Sequence, residues 1–256
     1  MDLGLDGRRA LVLGSSSGLG RAVAVSLVAE GARVAVVSRS AERAAQAAED
    51  IGAEAALTAD LTIPGGGRRV VNDAANALGG LDICVVNTGG GTPGPILATD
   101  DADDEAAYNS MLRPVLEMSR AAADHVTASG HGRLVYLTAR SIVEASPELA
   151  LSSVFRSGVA AAARSLAIEL APRATVNIIV TGQFATPALE RFEQAKARHN
   201  SLTLDEVRRL HLDSIPMCRL GRAEELADVA VFLCSERASF VTGAVLRVDG
   251  GAVRGF

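Results

Sequence analysis

The stretch Leu13-Gly14-Ser15-Ser16-Ser17-Gly18-Leu19-Gly20 sets three glycines and three serines directly after the apolar run Ala10–Leu13. Glycine permits a tight turn and a close approach of backbone N–H groups to a phosphate. A helix opening at this loop adds free N–H groups and a partial positive charge. Gly14, Ser16, Ser17, Gly18, Leu19 and Gly20 are therefore candidate nucleotide-binding residues. The next apolar run closes on Val37-Ser38-Arg39-Ser40. At that place in a dinucleotide-binding fold an acidic side chain reads a ribose 2′-hydroxyl, whereas an arginine accommodates a 2′-phosphate. Ser38 and Arg39 thus favour NADP(H) over NAD(H), and hydride chemistry follows from the nicotinamide. Further along, Glu144 and Glu148 are acids that could supply a proton, although solvated loop positions explain them better.

The elements needed to hold these residues are legible. Ala10–Leu13, Arg33–Ser38, Glu54–Thr58, Asp82–Asn87, Arg133–Thr138, Thr175–Val180 and Ala244–Val248 are near-continuous apolar runs, as expected of strands covered on both faces. Between them, helical patterns cover Gly18–Glu30, Ala41–Ile51, Pro64–Leu78, Asp103–Ser129, Ser153–Leu170 and Ala223–Ser235. The alternation predicts a parallel sheet with right-handed crossovers, within one domain spanning 1–256. Gly65-Gly66-Gly67 and Gly89-Gly90-Gly91 punctuate loops, and the acidic stretch Asp100–Glu105 reads as a solvated helix start. One insertion breaks the rhythm: about residues 184–216 hold two helical patterns, Pro187–Ala197 and Thr203–Leu212. An insertion beyond the carboxyl end of a strand is where such folds build a ligand crevice, so this segment is a candidate lid. Its Phe184, Leu189, Phe192, Leu202, Leu210, Leu212 and Met217 suggest an apolar small molecule, or packing alone.

Composition narrows the class. Of 256 residues 48% are apolar and 21% charged, with a net charge of −5, which argues against nucleic acid or an anionic membrane as partner. Asp2 and Asp6 stand where a signal peptide would be basic, and no run of 18 apolar residues offers a membrane span. Cys84, Cys218 and Cys234 show neither pairing nor metal spacing, so a cytoplasmic protein without a metal is expected.

Taken together, these residues resemble the short-chain dehydrogenase/reductase family over almost the whole chain. Gly14, Gly18 and Gly20 are spaced as in its glycine motif. Asp60-Leu61 resembles its adenine-contacting pair, and Asn87-Thr88-Gly89-Gly90 its Asn-Asn-Ala-Gly stretch. Thr181-Gly182 with Thr186 is similar to its nicotinamide-embracing segment, and Val241-Thr242-Gly243 through Val248-Asp249-Gly250-Gly251 to its last-strand signature. The resemblance implies a doubly wound, seven-stranded α/β Rossmann fold, a homodimer or homotetramer paired through the small-residue helices, and a small-molecule substrate. It also implies cofactor contacts from Asp60, Leu61, Asn87, Gly89 and Thr186.

The family's chemistry rests on a serine, a Tyr-x-x-x-Lys segment and an upstream asparagine. Counting back from Arg164-Ser165-Leu166-Ala167 puts Ser152 at the tyrosine position and Arg156 at the lysine position. The serine falls near Ala139, with Ser141 two residues later. The asparagine falls near Met111, with Asn109 offset. Tyr108 and Tyr136 lie outside that stretch, and Lys196 is the only lysine. Some family branches resemble this chain in a Ser-x-x-x-Arg segment like Ser152–Arg156 and in the ending Val253-Arg254-Gly255-Phe256. The implied catalytic set is Ser141, Ser152 and Arg156, with Arg156 also on the cofactor. An arginine keeps its proton, so it cannot relay one. That shifts the expected acceptors to those needing little acid help, such as iminium ions, quinones and conjugated enones. Ser152 and Ser153 could equally cap the following helix. Two other readings stay open: a nucleotide-binding protein without turnover, and a lyase or isomerase on the same fold.

Overall fold

The computed structural model describes residues 1–90, 93–145 and 148–254, His199 by its backbone only. Gly91 of the second glycine cluster and Gly255-Phe256 of the ending lie outside the described residues.

Seven parallel strands form one sheet in the order β3-β2-β1-β4-β5-β6-β7. They are β1 (Arg9–Val12), β2 (Arg33–Ser38), β3 (Ala55–Thr58), β4 (Ile83–Val86), β5 (Gly132–Ala139), β6 (Ala174–Thr181) and β7 (Val245–Val248). Side chains alternate across each strand, and that alternation splits the apolar residues between two cores. Leu11, Ala35, Val37, Cys84, Leu134 and Ile178 join the core on one face. Ala10, Val12, Val34, Val36, Val85 and Val135 join the core on the other. The first core is closed by α3 (Gly66–Leu78), α5 (Arg113–Ala128) and α6 (Ala150–Leu170). The second is closed by α1 (Gly18–Ala29), α2 (Ala41–Ile51) and α9 (Ala223–Cys234). The order reverses direction at β1 and β4, and a doubly wound sheet opens its ligand crevice at that switch point.

The helix expected over Asp103–Ser129 is divided. α4 (Asp101–Ala107) leads through a π turn, Tyr108–Leu112, into α5. Pro114 causes the break: it cannot donate a backbone hydrogen bond and its ring crowds the carbonyl four residues earlier, so the backbone widens there. The acidic stretch starts α4 as expected, with a reciprocal cap between Asp100 and Asp103. The helix expected from Pro64 begins instead at Gly66. Gly65 has a left-handed φ of 79°, and the Glu117 carboxylate of α5 accepts from Gly65 N (2.9 Å) and Gly67 N (3.1 Å).

The insertion after β6 folds as α7 (Pro187–Asn200) and α8 (Leu204–Asp213). They are joined by a buried pair, His211 Nδ1 to Glu193 Oε1 at 2.9 Å, with Phe192 stacked on the imidazole. No helix among the described residues is long and apolar enough to cross a membrane.

Candidate active site

The loop between β1 and α1 leaves Gly14 and Ser17 exposed and buries Ser15 and Gly20. Gly14 and Gly18 adopt φ of 64° and 58°, a region that favours glycine. A Cβ on Gly20 would stand 2.5 Å from Gly14 O, so the helix packs against the strand end only with glycine there. Ser15 was not singled out by its sequence, yet it ties the loop down. Its hydroxyl donates to Val12 O (2.8 Å) and accepts from Val37 N (2.7 Å), joining the ends of β1 and β2. Ser17 sits at the N-cap of α1 without capping it, so the first N–H groups of the helix stay free for an anion. Ser16 is half-buried beside it, and Leu19 packs into the second core.

Three further segments converge on this loop. Asn87, after β4, sets its Nδ2 2.9 Å from where a Gly14 Cβ would lie. Thr186 approaches Gly18 from beyond β6, its Cγ2 3.6 Å from the corresponding point, while its hydroxyl accepts from Leu189 N and caps α7. Gly89 and Gly90 face open space, where a Cβ would meet nothing within 4 Å. A cleft floored by backbone and opened by missing side chains fits a dinucleotide.

Arg39 and Asp60 stand at the outer edge, past β2 and β3. Ser38 is buried and accepts from Ser40 N at 3.4 Å, and Ser40 caps α2. Arg39 is exposed and makes no hydrogen bond or ion pair among the described residues. The Asp60 carboxylate accepts from Thr62 N (2.9 Å) and from the Thr62 hydroxyl (2.7 Å). Those bonds, aided by the charge of Arg39, hold it below the usual carboxylate range. Leu61 packs on the first core beside it.

Two of the three expected catalytic residues meet, and the third bonds to the Gly89 loop. The short turn Arg140–Ile142 after β5 absorbs the two-residue offset from the family's serine and brings Ser141 Oγ to 3.3 Å from Ser152 Oγ. Ser153 alone behaves as a helix-terminus hydroxyl, donating to Leu149 O at 3.1 Å; Ser152 does not. Arg156, one turn along α6, donates from Nη2 to Gly89 O at 3.0 Å. Desolvation pushes its pKa down to about 10, so it remains charged at neutral pH.

Tyr136 does not replace the absent tyrosine. Tyr136 is fully buried with its hydroxyl 2.7 Å from Ser119 Oγ, and burial raises its pKa. Tyr108 lies in the π turn with its ring centroid 6.3 Å from that of Phe155. Glu144 is exposed, and Glu148 is held by Lys196 Nζ at 2.7 Å, which fastens α7 to the segment before α6. Part of the apolar side-chain set of the insertion goes into packing: Phe184 is buried in the second core, whereas Leu210 and Met217 stay exposed. Among the described residues no cluster of His, Cys, Asp or Glu could hold a metal. A separate cavity of about 170 Å³ lies between Gln183, Phe184, Met217 and Asp249, and its lining includes none of the serine–arginine group.

Known proteins share this architecture. The family pattern described as enoyl-(acyl carrier protein) reductase matches residues 14–253. A 7alpha-hydroxysteroid dehydrogenase of Escherichia coli is 31% identical over 260 residues, covering 99% of this chain and 97% of its own. The NADPH-dependent reductase BacG of Bacillus subtilis is 26% identical over 254 residues, 96% of this chain and 98% of its own. The L-sorbose reductase of Gluconobacter frateurii, solved with NADPH and L-sorbose, superposes with a TM-score of 0.93 at 28% identity, over 100% of both chains. The chain belongs to the short-chain dehydrogenase/reductase family of oxidoreductases.

Proposed function

We propose that the protein is an NADP(H)-dependent reductase of a small carbonyl, imine or conjugated acceptor, working through Ser141, Ser152 and Arg156. The observation that carries this reading is the juxtaposition of the two hydroxyls at 3.3 Å with a charged arginine one helical turn away, bonded to the loop of the open cleft. The bound nicotinamide supplies the hydride. The protein's part is to hold and polarise. Gly14, Ser16, Ser17, Gly18, Leu19 and Gly20 present backbone to the pyrophosphate. Ser38 and Arg39 meet the 2′-phosphate, and Asp60 and Leu61 flank the adenine. Asn87, Gly89, Thr186 and Arg156 frame the nicotinamide ribose. Ser141 and Ser152 donate to the acceptor atom, and Arg156 stabilises negative charge developing there. Without a tyrosine the final proton comes from solvent, which suits acceptors that need little acid help. NADPH in the names of two of the relatives supports the choice of cofactor.

We place 1–256 in one domain with 184–216 as the lid, assembled as a homodimer or homotetramer in the cytoplasm. The fully exposed Phe240 and the exposed Ile168 support self-association. NADPH oxidation with a panel of iminium, quinone and enone acceptors tests the reading. Turnover of at least one class is expected, and bound NADPH without turnover by any would sink it. The missing tyrosine favours one second reading, a nucleotide-binding protein without turnover, which that same outcome would establish.

A further inference from the structure

The insertion after β6 is joined to the body at few points. α7 and α8 hold each other through the buried Glu193–His211 pair and the Phe192 stack. Neither sheet core includes a residue of α7 or α8. Among the described residues, one side-chain bond leaves these two helices for the body: Lys196 Nζ donates to Glu148 Oε2 at 2.7 Å.

The two ends of α7 meet different walls of the cleft. At its N-cap, Thr186 Cγ2 lies 3.6 Å from where a Gly18 Cβ would stand, beside the glycine loop. Lys196 follows ten residues on, about 15 Å along the helix. Its partner Glu148 is itself tied down. The Glu148 carbonyl accepts from Gly94 N (2.8 Å), and Ala150 N donates to Gly94 O (3.2 Å). α6 begins at Ala150, so this anchor lies four residues before Ser152. α7 thus runs from the glycine loop to the start of the helix that carries Ser152 and Arg156.

The bond at the far end is of a releasable kind. Arg9, Arg33 and Arg219 each grip a carboxylate with two bonds, a planar fork that fixes both partners. Lys196 is the only lysine among 25 lysines and arginines, and it makes one bond from a compact charge on a flexible stem. Its side chain is 21% exposed and that of Glu148 is 55% exposed, so water competes at this contact. An ion pair this exposed shifts an equilibrium by no more than about 5-fold. That is too little to hold up the fold and enough to set how often a strap lifts.

We propose that α7 is a strap across the cleft and that Lys196 and Glu148 are its latch, positioning residues whose opening sets the rate of nucleotide release. The inference rests on the reductase reading for what lies beneath the strap, but not for the latch itself.

Two readouts separate these parts. Hydrogen exchange of the unliganded protein reads the latch: Lys196→Met should speed exchange in α7 by about 2- to 5-fold and leave α3 unchanged. A stopped-flow chase of bound NADPH with excess NADP⁺, followed by nicotinamide fluorescence, reads release, which should rise by the same factor. Glu148→Gln should match Lys196→Met in both. Lys196→Arg, which can form the fork, should release no faster than the unmodified protein. The charge-swapped double variant, Lys196→Glu with Glu148→Lys, should bring both readouts back to the unmodified values. Unchanged exchange of α7 in Lys196→Met would overturn the latch, whatever the nucleotide does. A loosened α7 with unchanged release would overturn its control of release. A charge-swapped variant as fast as either single variant would show that the two ions do not act as a pair. An unmodified protein that binds no NADPH removes the reductase reading and the control of release with it, and hydrogen exchange in α7 still decides the latch.

Discussion

Ser141 and Ser152 come within 3.3 Å of each other from different elements, a turn after β5 and the first turn of α6. The Ser141 side chain is buried, so the pair has an inner and an outer member. Removing a donor aimed at developing charge costs up to about 10²–10³ in rate. Ser152→Ala is expected to lower kcat/KM for the best acceptor by roughly 10- to 100-fold while leaving NADPH affinity unchanged. Ser153→Ala, whose hydroxyl serves Leu149 O, should leave both unchanged. Steady-state kinetics beside a cofactor titration decides this, and parity of the two variants would remove Ser152 from the reaction.

Restoring the family's pair tests what its loss means. A general acid contributes about 10²–10⁴ in rate. The double variant Ser152→Tyr, Arg156→Lys should therefore gain at least about 10-fold on simple ketones and lose ground on acceptors that need no acid. Assays with one ketone and one quinone would show the crossover. A double variant that stays inert on ketones while still binding NADPH would show that more than the proton donor has changed.

Arg39 is exposed at the end of β2 and makes no hydrogen bond or ion pair among the described residues. A hydrogen bond to a charged group is worth about 1.5–3 kcal/mol, and 1.4 kcal/mol is a factor of ten. Arg39→Ala should weaken NADPH binding by roughly 10- to 100-fold and leave NADH nearly unaffected. Loss of both affinities together would mean that the variant disturbs the cleft and that Arg39 does not read the phosphate.

The glycines of the opening loop differ in what they tolerate. Gly20→Ala brings a Cβ to 2.5 Å from Gly14 O, a clash with backbone that cannot turn aside. Gly18→Ala meets only Thr186 at 3.6 Å, and its penalty is the left-handed φ, about 1 kcal/mol. Thermal unfolding should drop far more for Gly20→Ala. The reverse order would contradict the packing described.

Most of this could be read from the chain because strands covered on both faces, glycine turns and helix caps leave local signals. The apolar runs match all seven strands to within one residue at each end. The π turn was not legible because a proline inside a helical pattern marks a break without saying how the backbone absorbs it. Ser15 went unremarked because its bond to Val37 N spans two strands. The Glu193–His211 pair depends on how α7 and α8 pack, which spacing along either helix does not reveal. The approach of Ser141 to Ser152 needed the turn at Arg140–Ile142.

Asp82 gives a stability test away from the site. Its carboxylate accepts from Arg9 N, Nε and Nη2, each at 2.8 Å. Burial works to raise its pKa, and the Arg9 bonds and charge outweigh burial and hold it below the ordinary value. A depressed folded-state pKa stabilises above the unfolded value, near 4, and that contribution fades as pH falls through the folded value. Asp82→Asn should cost roughly 1–3 kcal/mol at pH 7, and the gap should narrow below about pH 4. Urea midpoints at both pH values check this, and a gap that stays constant would contradict it.

The most direct measurement is a titration of the protein into NADPH, and separately NADH, followed by nicotinamide fluorescence. The chain has no tryptophan, so protein emission interferes little. The account predicts saturable binding of NADPH at least about 10-fold tighter than NADH, the worth of one charge-assisted contact at Arg39. Binding of neither nucleotide would contradict it at the root, because the open glycine loop would then hold something else.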